Sequence, residues 1–285
     1  MSFDANRHRE VSLANWEDAA SGWVRRQRMM RELAAPVSHW MLDAISPQPG
    51  QRVLELAAGL GETALLAAEL VAPMGGVVIS DQAGAMLGGA RERAAELGLS
   101  NIEFQVLNAE WIDLPLASVD AVLCRWGYML MADPATALGE TRRVLRPGGR
   151  VALAVWDELA RNPWASLPAA ELGDRGLTVR GAGPAAEPGP FALASPKRIA
   201  QLLADAGFED VEVQALDLVR HHANFEDLWE TTLDLSRSFH DAVLARPKDE
   251  IEEIRSSLAS RFAPFASGGG ALEIPARTLV AAASA

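Results

Sequence analysis

The sequence predicts an α/β fold built on a doubly wound, mostly parallel sheet of seven strands. Three observations predict it. Between residues 51 and 157, short apolar runs alternate with segments of helical periodicity, which is typical of a parallel sheet covered on both faces. Residues 12–46 show apolar positions at helical spacing before the first strand. Residues 225–240 and 247–265 show the same spacing before the last strand. We therefore expect an N-terminal helical cap and a C-terminal helical insertion.

Each strand is justified by its apolar or alternating run and by the turn residues that bound it. The predicted strands are 52–56, 76–81, 102–107, 119–124, 150–156, 211–219 and 272–282. The predicted helices between them include 63–70, 85–97 and 134–145. Ser195-Pro196 begins another helix, as an N-cap residue followed by proline at the first helical position. Pro36 predicts a break in the cap, and Pro275 predicts an exposed edge or a bulge in the last strand.

These elements divide the chain into four parts. Residues 1–46 form the cap, residues 47–157 form the ligand-binding core, and residues 195–285 complete the sheet with helices on the substrate side. Residues 158–194 are rich in Pro, Gly and Ala. They are predicted as an irregular lid over the C-terminal edge of the sheet, because long loops in that position are often functional. A mobile linker is the alternative interpretation.

Charge and cysteine content exclude several classes of protein. A net charge of −12 argues against DNA or RNA as the main partner, since phosphate neutralisation needs a basic surface. Cys124 is the one cysteine, so no intramolecular disulfide can form, and we expect a reducing, cytoplasmic location. No apolar run reaches the ~20 residues of a membrane span, and the polar N-terminus is unlike a signal peptide. No set of ligands for a metal is evident, so none is expected.

The most informative segment is the turn after the first strand. Gly59 and Gly61 let the backbone approach a ligand closely, and the helix start beyond them supplies free N–H groups and a partial positive charge. Glu55 ends the strand. Its carboxylate would repel a pyrophosphate but would attract an ammonium group. S-adenosylmethionine carries such a group, and NAD does not.

Five short motifs follow one another in order within the core. They are Glu55-Leu56-Ala57-Ala58-Gly59-Leu60-Gly61, Asp81-Gln82-Ala83-Gly84-Ala85-Met86-Leu87, Asn108-Ala109-Glu110, Leu114-Pro115-Leu116-Ala117-Ser118-Val119-Asp120 and Leu145-Arg146-Pro147-Gly148-Gly149. At these spacings the set resembles class I, Rossmann-like S-adenosylmethionine-dependent methyltransferases. The similarity is greatest to the small-molecule subgroup that includes the ubiquinone/menaquinone-biosynthesis C-methyltransferases. The resemblance implies S-adenosylmethionine as the cofactor and methyl transfer as the reaction.

The resemblance also implies which residues hold the cofactor. Glu55 would contact the methionine ammonium, directly or through water, and Asp81 would accept from both ribose hydroxyls. Met86 would lie against the adenine. Asn108 stands where the family has an acid, and its amide oxygen can still accept from the adenine amino group. The full set implied is Glu55, Ala57, Gly59, Gly61, Asp81, Gln82, Met86, Asn108, Ala109, Glu110, Arg125 and Trp126.

Two alternatives stay open. Gly59 to Ala64 also satisfies Gly-x-Gly-x-x-Ala, and Asp81 lies 20 residues beyond Gly61, as in a dinucleotide site. An NAD(P)-dependent oxidoreductase is therefore the first alternative, although Glu55 and the lack of a Tyr-x-x-x-Lys pair argue against it. The other alternative is a methyltransferase-like protein that binds the cofactor but has other chemistry or none.

Candidate catalytic groups follow the later strands. Asp157 follows the fifth strand, and His221 and His222 follow the strand at 211–219. Histidine is the natural base near neutral pH, and a base is needed where the nucleophile starts protonated. A solvated or capping role is the alternative for the histidine pair.

Several tryptophans fall where a substrate would approach. Trp126, Trp156, Trp164 and Trp229 predict a small, hydrophobic or aromatic acceptor, methylated at oxygen, carbon or nitrogen. Core packing is the alternative for each of them. The tryptophans of the cap, Trp16 and Trp23, would pack on the core or cover a ligand. The helices at 225–240 and 247–265 would cap the site or form a homodimer interface.

Overall fold

The computed structural model describes residues 3–177 and 187–285. Its α-helices are α1 (Ala5–Arg25), α2 (Gln27–Ile45), α3 (Glu62–Val71), α4 (Gly84–Glu96), α5 (Pro134–Val144), α6 (Pro163–Asp174), α7 (Pro196–Asp205), α8 (Phe225–Leu235), α9 (Arg237–Leu244) and α10 (Lys248–Phe262). Its strands are β1 (Arg52–Glu55), β2 (Gly76–Asp81), β3 (Ile102–Val106), β4 (Val119–Arg125), β5 (Leu145–Trp156), β6 (Glu209–His222) and β7 (Leu272–Ser284).

One sheet of seven strands, in the order β3-β2-β1-β4-β5-β7-β6, organises the molecule. β1 pairs in parallel with β2 and β4, and β7 runs antiparallel to both β5 and β6. The strand order reverses beside β1, so the carboxyl ends of β1, β2 and β4 meet at the point where open α/β sheets bind ligands. The predicted α/β fold class and the mostly parallel sheet are confirmed.

The cap consists of two long helices, but the prediction that Pro36 separates them is wrong. Arg26 forms the corner between α1 and α2, and Pro36 lies inside α2. Pro36 is exposed while the opposite face of α2 is buried, and this packing holds the helix through the proline. Arg26 donates hydrogen bonds to Asp227 (2.9 Å), Glu230 (3.0 Å) and Asp234 (2.7 Å) of α8. These bonds fix the corner against the C-terminal helices.

The segment between β5 and α7 contains a helix that its composition did not predict. The irregular lid expected over 158–194 is wrong for α6, which begins at Pro163. Asn162 is buried before it and accepts from the Arg277 N–H at 3.0 Å, which joins the helix start to β7. Residues 178–186 lie outside the described residues, so the lid prediction stays untested there.

The C-terminal elements differ from expectation in their bounds. The helix predicted over 225–240 is two helices, because Ser236 ends α8 and caps α9. α8 packs against α1, which favours a capping role for this helix, while the homodimer interface stays a prediction. β7 is not an edge strand, since β6 lies outside it. Pro275 falls beyond Thr278, where pairing with β5 ends, so its missing N–H breaks no bond to β5.

Two main hydrophobic clusters hold these layers together. The larger one packs α2, α3, α4, α5 and α7 onto the sheet. The second joins α6, α8, α9 and α10 to the start of β7. In the part of the chain that the structure describes, no helix is long and apolar enough to cross a membrane.

Gly22 sets the approach of α1 to α8, because a Cβ at this position would clash with the backbone carbonyl of Asp234. We expect Gly22→Ala to lower the free energy of unfolding by ~1–3 kcal/mol, as overpacking forces the helices apart. Gly88→Ala on α4 is the control, since no described atom lies within 4 Å of its Cβ position. It should stabilise the protein by ~0.5–1 kcal/mol. Denaturant unfolding checks both, and unchanged stability in Gly22→Ala would contradict this packing.

Candidate active site

A cleft of about 1060 Å³ opens at the carboxyl edge of the sheet, beneath the cap. Turns that follow β1, β2, β3 and β4 form its floor, and α1 and α2 cover it. The predicted cofactor residues that line it are Ala57, Gly59, Asp81, Gln82, Met86, Asn108, Ala109, Glu110, Arg125 and Trp126. The structure thus brings together all of the predicted set except Glu55 and Gly61.

The turn after β1 leaves its backbone open to the cleft. Gly59 has a φ of 55°, and no described atom lies within 4 Å of its Cβ position. Ala57 also has a positive φ of 49°, a conformation that costs an alanine strain energy. Gly61 (φ 74°) faces inward instead, and a Cβ there would lie 3.2 Å from Ile79 and Ala90. Gly61 therefore packs the start of α3 against the core.

Glu55 lies buried behind this turn. Its carboxylate accepts a hydrogen bond of 2.9 Å from the Ala64 N–H in the first turn of α3. Burial raises the pKa of Glu55 to about 7, although the charge of Arg125 and the bond from Ala64 oppose the shift. The predicted contact with an ammonium group would have to pass through water, and it stays a prediction.

The raised pKa of Glu55 predicts a pH-dependent stability. The folded protein favours the neutral carboxyl, so the contribution of Glu55 is complete below its unfolded pKa of 4.5 and is lost as the pH rises through about 7. Between these limits wild type should lose about 3 kcal/mol of unfolding free energy relative to Glu55→Gln. Urea unfolding from pH 4.5 to 8 measures both proteins. Parallel curves would contradict the burial of an ionisable Glu55.

Asp81 ends β2 and faces the cleft while it holds the backbone around it. One carboxylate oxygen accepts from the Gly59 N–H and the other from the Ala83 N–H, each at 2.9 Å. Burial raises the pKa of Asp81, and these bonds oppose that shift. Each carboxylate oxygen has a further lone pair. Asp81 can therefore hold the glycine turn and still accept from two adjacent hydroxyls.

The turn after β3 is tied to the cap. Asn108 accepts from the Glu110 N–H at 2.9 Å. The Glu110 carboxylate accepts from the Arg9 guanidinium of α1 (Nε, 3.0 Å) and from the Ala132 N–H at 2.9 Å. Glu110 thus joins α1 and the loop after β4 across one end of the cleft. Its placement indicates a positioning role.

Arg125 and Trp126 form the wall that follows β4. Arg125 donates to the Thr63 hydroxyl at 3.1 Å, and its guanidinium lies 4.8 Å from the centre of the Trp126 ring. The Trp126 indole N–H donates to the Thr278 hydroxyl at 3.0 Å. The ring also stacks on Trp156 with centroids 4.3 Å apart. The aromatic wall is therefore held rigidly from three directions.

The family model described as a methyltransferase domain matches residues 47–175. These residues span the glycine turn, Asp81 and the wall after β4, and they include strands β1 to β5. This part of the chain is a class I methyltransferase domain. S-adenosylmethionine is the cofactor of that family.

Curated relatives of the methyltransferase domain have several named activities. Aklanonic acid methyltransferase DauC of Streptomyces sp. (strain C5) is 34% identical over 125 residues, covering 44% of this chain and 57% of that protein. Ubiquinone/menaquinone biosynthesis C-methyltransferase UbiE of Xanthomonas oryzae is 37% identical over 113 residues, covering 39% and 45%. The chain thus spans about half the length of these relatives.

Solved structures share the architecture around the domain. The YcgJ protein from Bacillus subtilis has a TM-score of 0.58 and 17% identity, covering 87% of this chain and 97% of that one. The [4+2]-cyclase SpnF has a TM-score of 0.54 and 14% identity, covering 94% and 96%. At these identities the likeness shows the fold alone.

None of the three predicted catalytic residues lines the cleft of the methyltransferase domain. Asp157 pairs with Arg277 at 3.2 Å. His221 is exposed on the edge strand β6. His222 is buried with its Nδ1 3.1 Å from a carboxylate oxygen of Asp227, and burial, more than any other cause, lowers its pKa to about 4. These placements do not support the catalytic assignments.

The cap contributes cleft residues that the sequence did not single out as cofactor contacts. They are His8, Arg9, Ser12, Trp16, Trp23, Gln27 and Met30. Glu62, the first residue of α3, joins them. The helical spacing of Trp16 and Trp23 was the available signal, and the predicted cover over a ligand fits their positions. Within the described residues no group of three or more His, Cys, Asp or Glu could hold a metal ion.

Three polar atoms in this cleft are buried without a partner among residues 3–177 and 187–285. Trp23 Nε1 and Gln27 Nε2 are donors, and Glu62 Oε1 is an acceptor. Buried polar groups are rarely left without hydrogen bonds. Trp23, Gln27 and Glu62 line the cleft, so these groups are candidates for pairing with a ligand that has both acceptor and donor groups.

Proposed function

We propose that the chain transfers the methyl group of S-adenosylmethionine to a small, hydrophobic or aromatic acceptor by in-line displacement. The observation that carries this proposal is the set of unpartnered groups in the cleft. Two donors, Trp23 and Gln27, suit the carboxylate of an amino acid, and one acceptor, Glu62, suits its ammonium group. Asp81 faces the same cleft and suits ribose hydroxyls. A nicotinamide dinucleotide offers no amino acid end to these groups.

The proposed cofactor contacts run from one end of the cleft to the other. Glu62 would accept from the ammonium directly, with Glu55 behind it. Asn108 and Met86 would meet the adenine at the other end, near the junction of α1 with Glu110. The cofactor supplies the electrophilic methyl group. The chain's own residues orient the reactants and exclude water, since α1 and α2 cover the cleft.

His8 is the imidazole among the described cleft residues. Its Nε2 lies 2.9 Å from the Leu130 carbonyl oxygen. A carbonyl can only accept, so Nε2 carries the proton in the neutral ring and Nδ1 keeps its lone pair. His8 would take the proton of a phenol or carbon acid, and a neutral amine acceptor would not need it.

Transfer of a labelled methyl group tests the proposal. The protein is incubated with S-adenosylmethionine labelled in the methyl group, against a panel of naphthols, hydroxyquinones and polar amino acids. The expected result is extractable label with one or more of the flat aromatic acceptors. Labelling of the polar amino acids alone would contradict the proposed substrate class.

A second candidate function is cofactor binding with other chemistry. The structural similarity to a [4+2]-cyclase over 94% of the chain is the reason to consider this second function, since the same fold supports different reactions. It predicts S-adenosylhomocysteine binding without label transfer to any acceptor.

A further inference from the structure

A second cavity of about 710 Å³ lies away from the cofactor cleft, between α6, α8, α9 and β6. Its walls are mostly apolar and include Trp164, Phe191, Leu228 and Phe239. No acidic residue of the described ranges lines it, although the chain carries a net charge of −12. A positive charge in this cavity would therefore have no carboxylate beside it to balance it, although the protein as a whole is acidic.

Arg220 on β6 places a buried cation in this cavity. The residue is 6% exposed, it lines the cavity, and its Nε has no hydrogen-bond partner in the described part of the chain. Burial lowers its pKa to about 10. The residues outside the described ranges include no Asp or Glu. The protein itself therefore supplies no carboxylate for this guanidinium.

An unpaired buried cation is costly to a fold, so its retention in the cavity points to an external anion. The aromatic rings around Arg220 are suited to a planar anion. The guanidinium lies 4.6 Å from the centre of the Trp164 ring, and Trp164 is tilted against Phe191 with centroids 6.1 Å apart. Thr231, which is 1% exposed, adds a hydroxyl without a partner among described residues. A carboxylate could take bonds from both Arg220 and Thr231.

A continuous stack of indoles lies between the cavity and the cofactor cleft. Trp126 lines the cleft and stacks on Trp156 at 4.3 Å, and Trp156 contacts Trp164 of the cavity at 5.0 Å between centroids. Because in-line methyl transfer needs contact between the nucleophile and the methyl carbon, a ligand seated on Trp164 is held apart from a cofactor in the cleft.

We propose that this cavity binds a planar aromatic carboxylate, with its carboxylate paired to Arg220 and its rings against Trp164 and Phe191. This is a second ligand site, separate from the cofactor cleft, and the carboxylate is the anchor of its occupant.

Calorimetric titration with 2-naphthoate and with its neutral analogue 2-naphthamide tests this, with and without saturating S-adenosylhomocysteine. Wild type should bind the acid at least tenfold more tightly than the amide. Arg220→Met should remove that preference, and Arg246→Met, at an exposed position, should keep it. Arg220→Met should also melt no lower than wild type, since it removes an unpaired buried charge.

These titrations distinguish the proposed aromatic acid site from the proposed methyltransferase function. Equal affinity of wild type for acid and amide, or tight naphthoate binding by Arg220→Met, would overturn the aromatic acid site even where S-adenosylhomocysteine binds. Failure of S-adenosylhomocysteine to bind, with a naphthoate preference retained, would overturn the proposed function and support the aromatic acid site. The comparison of acid and amide in wild type does not depend on how any variant folds.

Discussion

Gly59→Val is expected to weaken the binding of S-adenosylhomocysteine by ~100-fold or more while the protein still folds. Gly59 has a φ of 55°, and the space beyond its Cβ position is open cleft in the described structure. A valine there would occupy the place of the ligand and would add strain of ~1–3 kcal/mol from its left-handed backbone. Calorimetric titration, with the folded fraction checked by circular dichroism, measures the effect.

Gly148→Val is the matched control for this variant. Gly148 has a φ of 77° and likewise no described atom within 4 Å of its Cβ position, but it lies in the turn that opens β5, away from the cleft. It should suffer similar backbone strain and keep its affinity for S-adenosylhomocysteine. Equal loss of affinity in both variants would mean that strain, and not occlusion of the cleft, explains the result.

Asp81→Asn is the second substitution expected to weaken S-adenosylhomocysteine binding strongly. The two carboxylate oxygens accept from the Gly59 and Ala83 N–H groups. Asparagine has one acceptor oxygen, so its amide nitrogen would face one of these donors. We expect affinity for S-adenosylhomocysteine to fall by ~10- to 100-fold, because a buried donor is left unpaired and a ribose contact is lost.

Asp133→Asn separates the ligand effect from the backbone effect. Asp133 also accepts two backbone N–H bonds, from Ala135 and Thr136 at the start of α5, but it does not line the cleft. Its variant should keep normal affinity. If Asp81→Asn bound S-adenosylhomocysteine as wild type does, the cofactor would have to lie elsewhere.

The fold was accessible to sequence reasoning because its signals are local. Buried parallel strands are continuous apolar runs, and Gly59 and Gly61 mark the turn beside β1. Most predicted cofactor residues line the cleft for the same reason, since strand ends converge at one edge of the sheet. The corner at Arg26 was missed because it depends on ion pairs to α8. The partners Asp227 and Glu230 lie 201 and 204 residues further along the chain.

The missed site residues share that cause. Gln27 and His8 reach the cleft only because the cap folds back over the sheet, and no motif encodes that docking. The histidine pair at the end of β6 looked reactive from its residue types alone. Its neighbour Arg220 was passed over, because burial without a partner cannot be read from a sequence.

Calorimetric titration of the wild-type protein with S-adenosylhomocysteine, with NADH run alongside, tests the central claim most directly. Saturable binding of S-adenosylhomocysteine, with no heat from NADH, is the result that the cleft predicts. Binding of NADH alone would contradict the assignment, and the unpartnered groups of Trp23, Gln27 and Glu62 would then need another ligand.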